Sequence, residues 1–192
     1  MIGNDIVDLK NISKRTNWKR PGFIDKVFNE NEQRYIRNAK DKDLIVWQLW
    51  SMKEAAYKAY VREVGNRFFN PRSIACKIIS DNKGEVQIND LIYFTSSELN
   101  CNYIHTTASK HIAEIQSSVF KLHNDTYNFQ HKMLNQYLLD FISETKNNDS
   151  NHLKVVKNKV GVPNVFESNL PLPMQLSLSH CGNYGAFSIL NS

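Results

Sequence analysis

WSMKEAAYK, residues 50–58, forms the centre of the longest helical pattern in this 192-residue chain. Apolar residues recur at spacings of three and four over about 43–64, which predicts a helix packed along one face. Asp41 or Asp43 is placed to begin this helix, because a short acceptor side chain satisfies the first free backbone N–H groups. Gly65 is placed to end it, since glycine adopts the left-handed conformation common after a helix.

The charged side chains of this helix allow two interpretations. Glu54 and Lys58 are four residues apart and share a helix face, whereas the adjacent Lys53 points about 100° away from Glu54. In the first interpretation the pair is a surface ion pair that contributes about 0.3 kcal/mol. In the second, a lysine binds phosphate beside a carboxylate that binds a metal ion. The neighbouring Trp50 and Tyr57 indicate a packed helix, which favours the second interpretation.

GNDIVD, residues 3–8, is typical of a strand, which we predict over 2–9. Asp5 lies in this apolar strand, where a lone carboxylate is often only a cap or a surface group. Magnesium sites, however, use one or two protein carboxylates and take their other ligands from water and substrate phosphates. Asp5 can therefore supply half of such a site if the strand and the long helix meet.

SLSH, residues 177–180, is an alternating strand segment that ends in a histidine before the tight turn 181–183. A hydroxyl and an imidazole at the end of a strand can bind phosphate together, which makes Ser179 and His180 candidate anion ligands. A single histidine in a strand is more often structural, so this segment indicates little on its own.

The remaining segments predict an α+β fold with largely antiparallel strands, because the order is strand, helices, strand meander, helix and strands. Asn29 followed by Glu32 predicts a capped helix over about 30–39. An amphipathic helix is predicted over about 127–144, followed by a loop at 146–151. Further strands are predicted over 73–80, 85–88, 92–95, 103–108, 112–119, 153–157, 175–180 and 184–190.

Composition limits the class of protein. The net charge is +5 and the pI about 9.0, and residues 10–20 hold five basic side chains without an acid. Such a stretch suits an anionic partner, although a solvated surface is the other interpretation. The sequence contains no run of 18 apolar residues, so no membrane span is predicted, and no secretory signal is expected. Cys76, Cys101 and Cys181 are widely spaced, which fits a reducing cytoplasm and shows no zinc spacing.

Taken together, the three stretches resemble the motif set of the 4'-phosphopantetheinyl transferases. The resemblance implies their fold and their reaction, in which the 4'-phosphopantetheine group moves from coenzyme A to a serine of an acyl or peptidyl carrier protein and 3',5'-ADP is released. Carriers of fatty-acid, polyketide and peptide synthesis all remain open. The matching residues are Gly3-x-Asp5, Trp50-x-x-Lys53-Glu54-Ala55-x-x-Lys58, Ser177-x-Ser179-His180 and Tyr184-Gly185-Ala186.

The resemblance also implies a role for each candidate residue. Asp5, Glu54 and Lys58 are the implied catalytic residues, with Glu54 or a metal-held water taking the serine proton. The implied ligands of Mg²⁺ are Asp5 and Glu54, and the implied ligands of the coenzyme A phosphates are Lys53, Lys58, Ser179 and His180.

Length and motif order predict two antiparallel sheet-and-helix modules in a pseudo-dimer, residues 1–120 and 122–192, which share one site in a monomer. Relative to the surfactin-type enzymes of the family, the two halves occur in swapped order. The alternative is a small trimeric synthase enlarged by an insertion near 95–155. The chain departs from the surfactin type in two places, since Val7 replaces a further acid and Val162 replaces a nucleotide-contacting lysine.

An acidic carrier protein is the implied partner, and the basic stretch is its predicted docking surface. Two other functions compete with the enzyme. One is a non-enzymatic module that binds an acidic partner without magnesium. The other is a nucleic-acid binder, which no helix-turn-helix, zinc-knuckle or RNP-like motif supports. The predicted docking residues are Arg15, Lys19 and Arg20 by charge and Phe23, Val27 and Phe28 by apolar contact.

Overall fold

The computed structural model describes residues 1–68, 70–124, 126–146 and 152–191. Within them, the order of helices and antiparallel strands confirms an α+β fold. The loop predicted at 146–151 lies outside the described residues except for its first residue. The helices are α1 (Leu9–Arg15), α2 (Phe23–Val27), α3 (Glu30–Asn38), α4 (Lys42–Val64) and α5 (Tyr127–Lys146), with a 3₁₀ turn at Pro71–Ser73.

The described strands form three antiparallel sheets. The first has the order β1 (Ile2–Asp8), β5 (Tyr103–Ser109), β4 (Leu91–Leu99), β3 (Lys83–Ile88) and β2 (Ala75–Ser80). The second has the order β10 (Met174–Cys181), β11 (Tyr184–Asn191) and β6 (Gln116–Lys121). The third has the order β7 (Leu153–Lys157), β8 (Pro163–Glu167) and β9 (Leu170–Pro171).

Helix α4 has the ends that the sequence predicts. The Asp41 carboxylate accepts a hydrogen bond from the Leu44 backbone N–H at 2.9 Å and caps the first turn. Gly65 ends the helix in the left-handed region, with a φ of 72°, and its N–H donates to the Val61 carbonyl at 2.9 Å. The observed helix therefore begins one residue before the predicted span and ends with it.

Strand β1 lies unusually close to α4, and Gly3 permits this approach. A Cβ atom on Gly3 would lie 2.0 Å from the Ala55 carbonyl oxygen and 2.7 Å from the Ala59 backbone nitrogen. Both are backbone atoms that cannot move aside, so only glycine fits here. The contact brings Asp5, two residues further along β1, beside the charged face of the helix.

The described residues form two large hydrophobic cores. In the first, α4 packs on one face of the five-stranded sheet; in the second, α5 packs on β10 and β11. The α5 side chains that point inward are spaced by four residues, as an amphipathic helix requires. Fully buried members of the first core include Leu49, Met52, Tyr93 and Ile104, and those of the second include Leu138, Ile142, Leu176 and Phe187.

Strand β1 also connects the two halves. The Asn4 N–H donates to the Ser177 hydroxyl of β10 at 2.8 Å, and the rings of Tyr103 and Tyr184 lie with centroids 5.1 Å apart. Strand β6, at the predicted boundary near 120–122, pairs with β11 of the second sheet. The division into two modules stays a prediction.

Some of the local structure differs from expectation. Helices α1 and α2 were not predicted, because each is too short to show a helical period. Phe23, Val27 and Phe28 are buried in the first core, so the predicted apolar contact with a carrier protein is wrong for these three side chains. Strands β8 and β9 were also not predicted. No described helix is long and apolar enough to cross a membrane.

Candidate active site

The close approach of β1 and α4 brings three predicted site residues together. Lys58 Nζ lies 3.2 Å from Asp5 Oδ1 and also donates to the Asn4 carbonyl at 2.7 Å. The Asp5 side chain is 12% exposed and that of Lys58 is 32% exposed, so the pair lies at the edge of the interior. Glu54, one turn before Lys58, lies on the same face of α4.

Burial strongly affects the two carboxylates. Removal from water raises the pKa of Asp5, and the positive charge of Lys58 opposes this effect. Burial, and secondly the charge of Asp5, raise the pKa of Glu54 to about 7, while Lys58 lowers it. Two carboxylates that repel each other beside one ammonium group favour the arrival of another cation.

The donor set fits a hard divalent cation of the Mg²⁺ type. Asp5 Oδ2 is buried and makes no hydrogen bond to a described residue, although Ser51 lies close enough to lower the pKa of Asp5. Among the described residues, no group of three or more His, Cys, Asp and Glu side chains converges. Asp5 and Glu54 are thus the candidate ligands, and two carboxylates suffice for Mg²⁺ when substrate phosphates and water complete its shell.

The end of β10 approaches the same site from the second half. Ser179 is buried, and its hydroxyl makes no hydrogen bond to a described residue. His180 is half-buried, with its ring edge-on to Tyr127 at 5.8 Å between centroids. Burial lowers the pKa of His180, and the charge of Lys58 lowers it further. Lys58, which pairs with Asp5, is thus near enough to His180 to act on it electrostatically.

A cleft of about 300 Å³ separates the two halves beside these residues. It lies between α4, the segment 157–163 and β10, so both halves contribute to its walls. Its charged lining is mostly basic. The charged side chains are Glu54, Lys58, Arg62, Arg67 and Lys157.

Three basic residues of the cleft were not predicted. Arg62 continues the four-residue spacing of Glu54 and Lys58 along α4, and this spacing could have identified it. Its guanidinium donates to the carbonyls of Pro163, at 2.7 Å, and Leu176, so it joins β8 to β10. Burial lowers the pKa of Arg62 to about 10. The other two residues, Arg67 and Lys157, carry no pattern that a sequence could reveal.

Arg67 places a positive charge at the wall of the cleft that contains Val162. Val162 is buried and faces the first core, but Arg67 Nε donates to the neighbouring Val160 carbonyl at 2.7 Å. Gly161, with a φ of 80°, makes room for it, because a Cβ there would lie 2.1 Å from Arg67 Nη2. The cation at this wall of the cleft therefore comes from the other half of the chain.

Of the predicted site residues, Glu54 and Lys58 line the cleft, whereas Asp5, Ser179 and His180 do not. The structure directs Lys53 into the first core instead. Its side chain is 1% exposed, and Nζ donates to Glu32 Oε1 at 2.8 Å and to the carbonyls of Pro71, at 2.9 Å, and Ile74. The reason is the turn of the helix, which directs adjacent side chains about 100° apart. With all its donors occupied in the core, Lys53 is not in a position to bind phosphate.

Comparison with known proteins identifies the family of the chain. Residues 1–116, which include β1 and α4, match the 4'-phosphopantetheinyl transferase superfamily. The match covers more than half of the chain, so the protein belongs to this superfamily, whose members are transferases of the phosphopantetheinyl group. No curated protein matches the chain. Among solved structures, it is similar to the holo-[acyl-carrier-protein] synthase of Thermotoga maritima, with 15% sequence identity and a TM-score of 0.45 over 88% of this chain and 83% of that chain.

Proposed function

We propose that the protein transfers the 4'-phosphopantetheine group of coenzyme A to a serine of an acidic acyl or peptidyl carrier protein, with Mg²⁺, and releases 3',5'-ADP. The observation that carries this proposal is the pair of carboxylates, Asp5 and Glu54, which lies with Lys58 beside a basic cleft. A basic cleft suits the phosphates of coenzyme A, and a carboxylate pair suits the cation that accompanies a pyrophosphate.

Asp5 and Glu54 would hold the cation, and each contributes one carboxylate. When bound there, Mg²⁺ supplies positive charge that stabilises the pyrophosphate as its bond breaks. Lys58 offsets further charge on the leaving 3',5'-ADP, because its ammonium group lies between Asp5 and the cleft. Glu54, with a pKa raised toward neutrality, is also suited to take the proton of the attacking serine.

In this proposal, the remaining phosphates of coenzyme A are bound on the side of the cleft that β10 and the segment 157–163 form. Ser179 offers a buried hydroxyl without a partner among the described residues, and His180 offers an imidazole at the strand end. Lys157 and Arg67 add two exposed cations to the same cleft. These groups bind and orient the nucleotide, while Lys58 and the carboxylates act at the bond that breaks.

The acidic carrier would dock on the basic stretch of residues 10–20. Lys14, Arg15 and Lys19 are exposed there, and the charge of Arg15 reaches Cys181 at the end of β10. Asp8, which caps α1, also bonds to Asn183 just beyond the end of β10, so a serine on a docked partner would approach from that side. Complementary charge across such a surface mainly accelerates and orients association.

A monomer in the cytoplasm is the state that we propose. Both walls of the cleft come from one chain, so no second subunit is needed to complete the site. Cys76, Cys101 and Cys181 are free, which suits a reducing compartment. Light scattering with a titration of coenzyme A is expected to give one chain and one bound nucleotide per particle. A trimer with sites between chains would favour the enlarged small synthase instead.

The proposal is tested by incubating a panel of apo carrier proteins with coenzyme A and Mg²⁺ and weighing the products by mass spectrometry. We expect at least one carrier to gain a 4'-phosphopantetheine group and the gain to stop in EDTA. Asp5→Asn and Glu54→Gln should each lower turnover by at least about 100-fold, the scale set by loss of a charge-stabilising group. The matched control is Glu30→Gln, an exposed acid on α3, which should leave turnover unchanged.

No modified carrier in the panel, or equal turnover in EDTA, would contradict the proposal. Modification that persists in Asp5→Asn would remove this residue from the cation site. A protein that binds an acidic carrier tightly but never modifies it would instead favour the non-enzymatic module.

A further inference from the structure

Asp8 is a buried carboxylate at the junction of β1 and α1, outside the cleft, and is 2% exposed. Its oxygen Oδ1 accepts hydrogen bonds from the backbone N–H groups of Lys10, at 3.1 Å, and Asn11, at 3.0 Å. These bonds cap the first turn of α1. Its second oxygen, Oδ2, accepts from the Asn183 N–H at 2.9 Å, across a separation of 175 residues.

The turn between β10 and β11 is held from three directions. Besides Asp8, the Gln130 side chain of α5 donates to the Gly182 carbonyl at 2.6 Å, and the Leu122 N–H donates to the Asn183 carbonyl at 2.8 Å. Gly182 has a φ of 56°, and a Cβ there would lie 2.4 Å from Asp8 Oδ2. The turn is therefore fitted closely against the carboxylate, and only glycine permits this fit.

This turn follows His180 after a single residue, so its position determines where the end of β10 lies. The same carboxylate begins α1, the helix that carries much of the basic stretch. One buried side chain thus connects the strand end that bears the imidazole to the start of α1. Hydrogen bonds to a charged acceptor are stronger than those between neutral groups, which suits this connecting role.

We propose that Asp8 is a positioning residue, which fixes His180, two residues beyond Leu178 of the cleft wall, by holding the β10–β11 turn against the start of α1. This inference rests on the proposed function, because it assigns His180 to the nucleotide. Asp8 itself touches no substrate: its two oxygens are both occupied by backbone N–H groups. It acts on coenzyme A through His180 alone.

Asp8→Asn separates the two tasks of the carboxylate. Asparagine is as good a helix cap as aspartate, so its one oxygen keeps the bonds to Lys10 and Asn11. Its amide NH₂ then faces the Asn183 N–H, and two donors cannot bond. We expect the KM for coenzyme A to rise about tenfold, while kcat and the KM for the carrier protein stay within about twofold.

Two further variants complete the experiment. Gln130→Ala loosens the same turn from α5, has no contact with α1 and should raise the KM for coenzyme A in the same direction. Asp41→Asn changes another helix-capping aspartate, whose carboxylate bonds only to Leu44 near the exposed start of α4, and should change neither KM. If Asp8→Asn and Gln130→Ala both keep the wild-type KM for coenzyme A, the proposal is overturned.

A second readout does not require turnover. The imidazole resonances of His180 should shift in Asp8→Asn, amide exchange at Asn183 should accelerate, and calorimetry should show about tenfold weaker binding of 3',5'-ADP. An inactive wild-type protein would contradict the proposed function but leave this measurement intact. Unchanged resonances together with unchanged 3',5'-ADP binding would overturn the positioning role. Should Asp8→Asn fail to fold, the same measurements on Gln130→Ala decide.

Discussion

Lys53 and Glu54 are neighbours in the chain, but α4 turns them toward opposite surroundings. Glu54 reaches the cleft, whereas Lys53 forms an ion pair with Glu32 inside the first core. The Cys76 N–H also donates to Glu32, at 2.7 Å, and the Phe28 ring lies 5.6 Å from the Lys53 ammonium. The lysine of the motif therefore joins α3 to α4, which is a structural task rather than a catalytic one.

Replacement of Lys53 should consequently affect stability before it affects chemistry. Lys53→Met leaves the Glu32 charge buried without its partner, so the free energy of unfolding should fall by about 3–5 kcal/mol. Adding Glu32→Gln should recover much of that loss, because no charge is then left in the core. Urea unfolding measures both effects. A Lys53→Met protein that has normal stability but has lost its turnover would instead support a phosphate-binding role for Lys53.

His105 predicts how stability depends on pH. It is buried on β5 beside Asn4, with 3.3 Å between Asn4 Nδ2 and His105 Nε2, and burial lowers its pKa from 6.5 to about 4. A lowered histidine pKa stabilises the fold above the unfolded value, and this stability is lost as the pH falls from about 6.5 toward 4. His105→Gln cannot titrate, so its stability should fall less over this range.

Thermal unfolding at several pH values between 7 and about 4 measures this difference. His131→Gln, a change at a more exposed histidine of α5, is the matched control and should track the wild-type protein more closely. If the unfolding temperatures of His105→Gln and wild type fall in parallel down to pH 4, protonation of His105 does not destabilise the folded protein.

At the scale of elements, the packing of β1 on α4 decides whether a site exists. Gly3→Ala would place a methyl group against two backbone atoms of the helix, so the strand and helix must separate. We expect unfolding to become easier by at least about 2 kcal/mol, the usual cost of overpacking. Turnover should fall further than stability explains, because Asp5 moves away from Glu54.

Gly22→Ala is the control for this prediction. Gly22 has a positive φ, of 78°, which Gly3 does not, and a Cβ there would meet no atom within 4 Å. This change should cost about 1 kcal/mol through backbone strain and leave turnover intact. A Gly3→Ala protein that behaves like Gly22→Ala would show that the strand–helix contact is looser than the distances indicate.

The elements differ in how far the sequence could predict them. Helix α4 and the capped α3 carry caps and periods within the segment itself, and these predictions are confirmed. Helix α1 instead follows its N-cap Asp8, and this cap can be recognised only once β1 is known to end there. The burial of Lys53 depends on Glu32, 21 residues away, and the basic wall of the cleft depends on contacts between the halves. No local pattern encodes such contacts.

At the scale of the whole molecule, charge is unevenly distributed. The net charge is +5, and residues 10–20 hold the exposed basic side chains that we propose as the docking surface. Arg15→Glu with Lys19→Glu should therefore raise the KM for the carrier protein more than that for coenzyme A. The effect should shrink as salt is raised, since exposed charges are screened beyond about 10 Å at 0.1 M salt.

Lys83→Glu reverses an exposed charge at the start of β3 and is the matched control. Steady-state kinetics at low and high salt compare the three proteins. If the KM for the carrier protein is unchanged in the double variant at low salt, residues 10–20 do not form the docking surface.

The position of β1 between the halves has a consequence for synthesis on the ribosome. Asn4 bonds to Ser177 and Asp8 to Asn183, so β1 completes its contacts only after about 170 further residues have been added. At roughly 5–20 residues per second, this interval lasts on the order of 10–35 s. Throughout it, one edge of an apolar strand stays uncovered. The nascent chain should therefore depend on a chaperone that shields β1 until β10 and the turn that follows it have been synthesised.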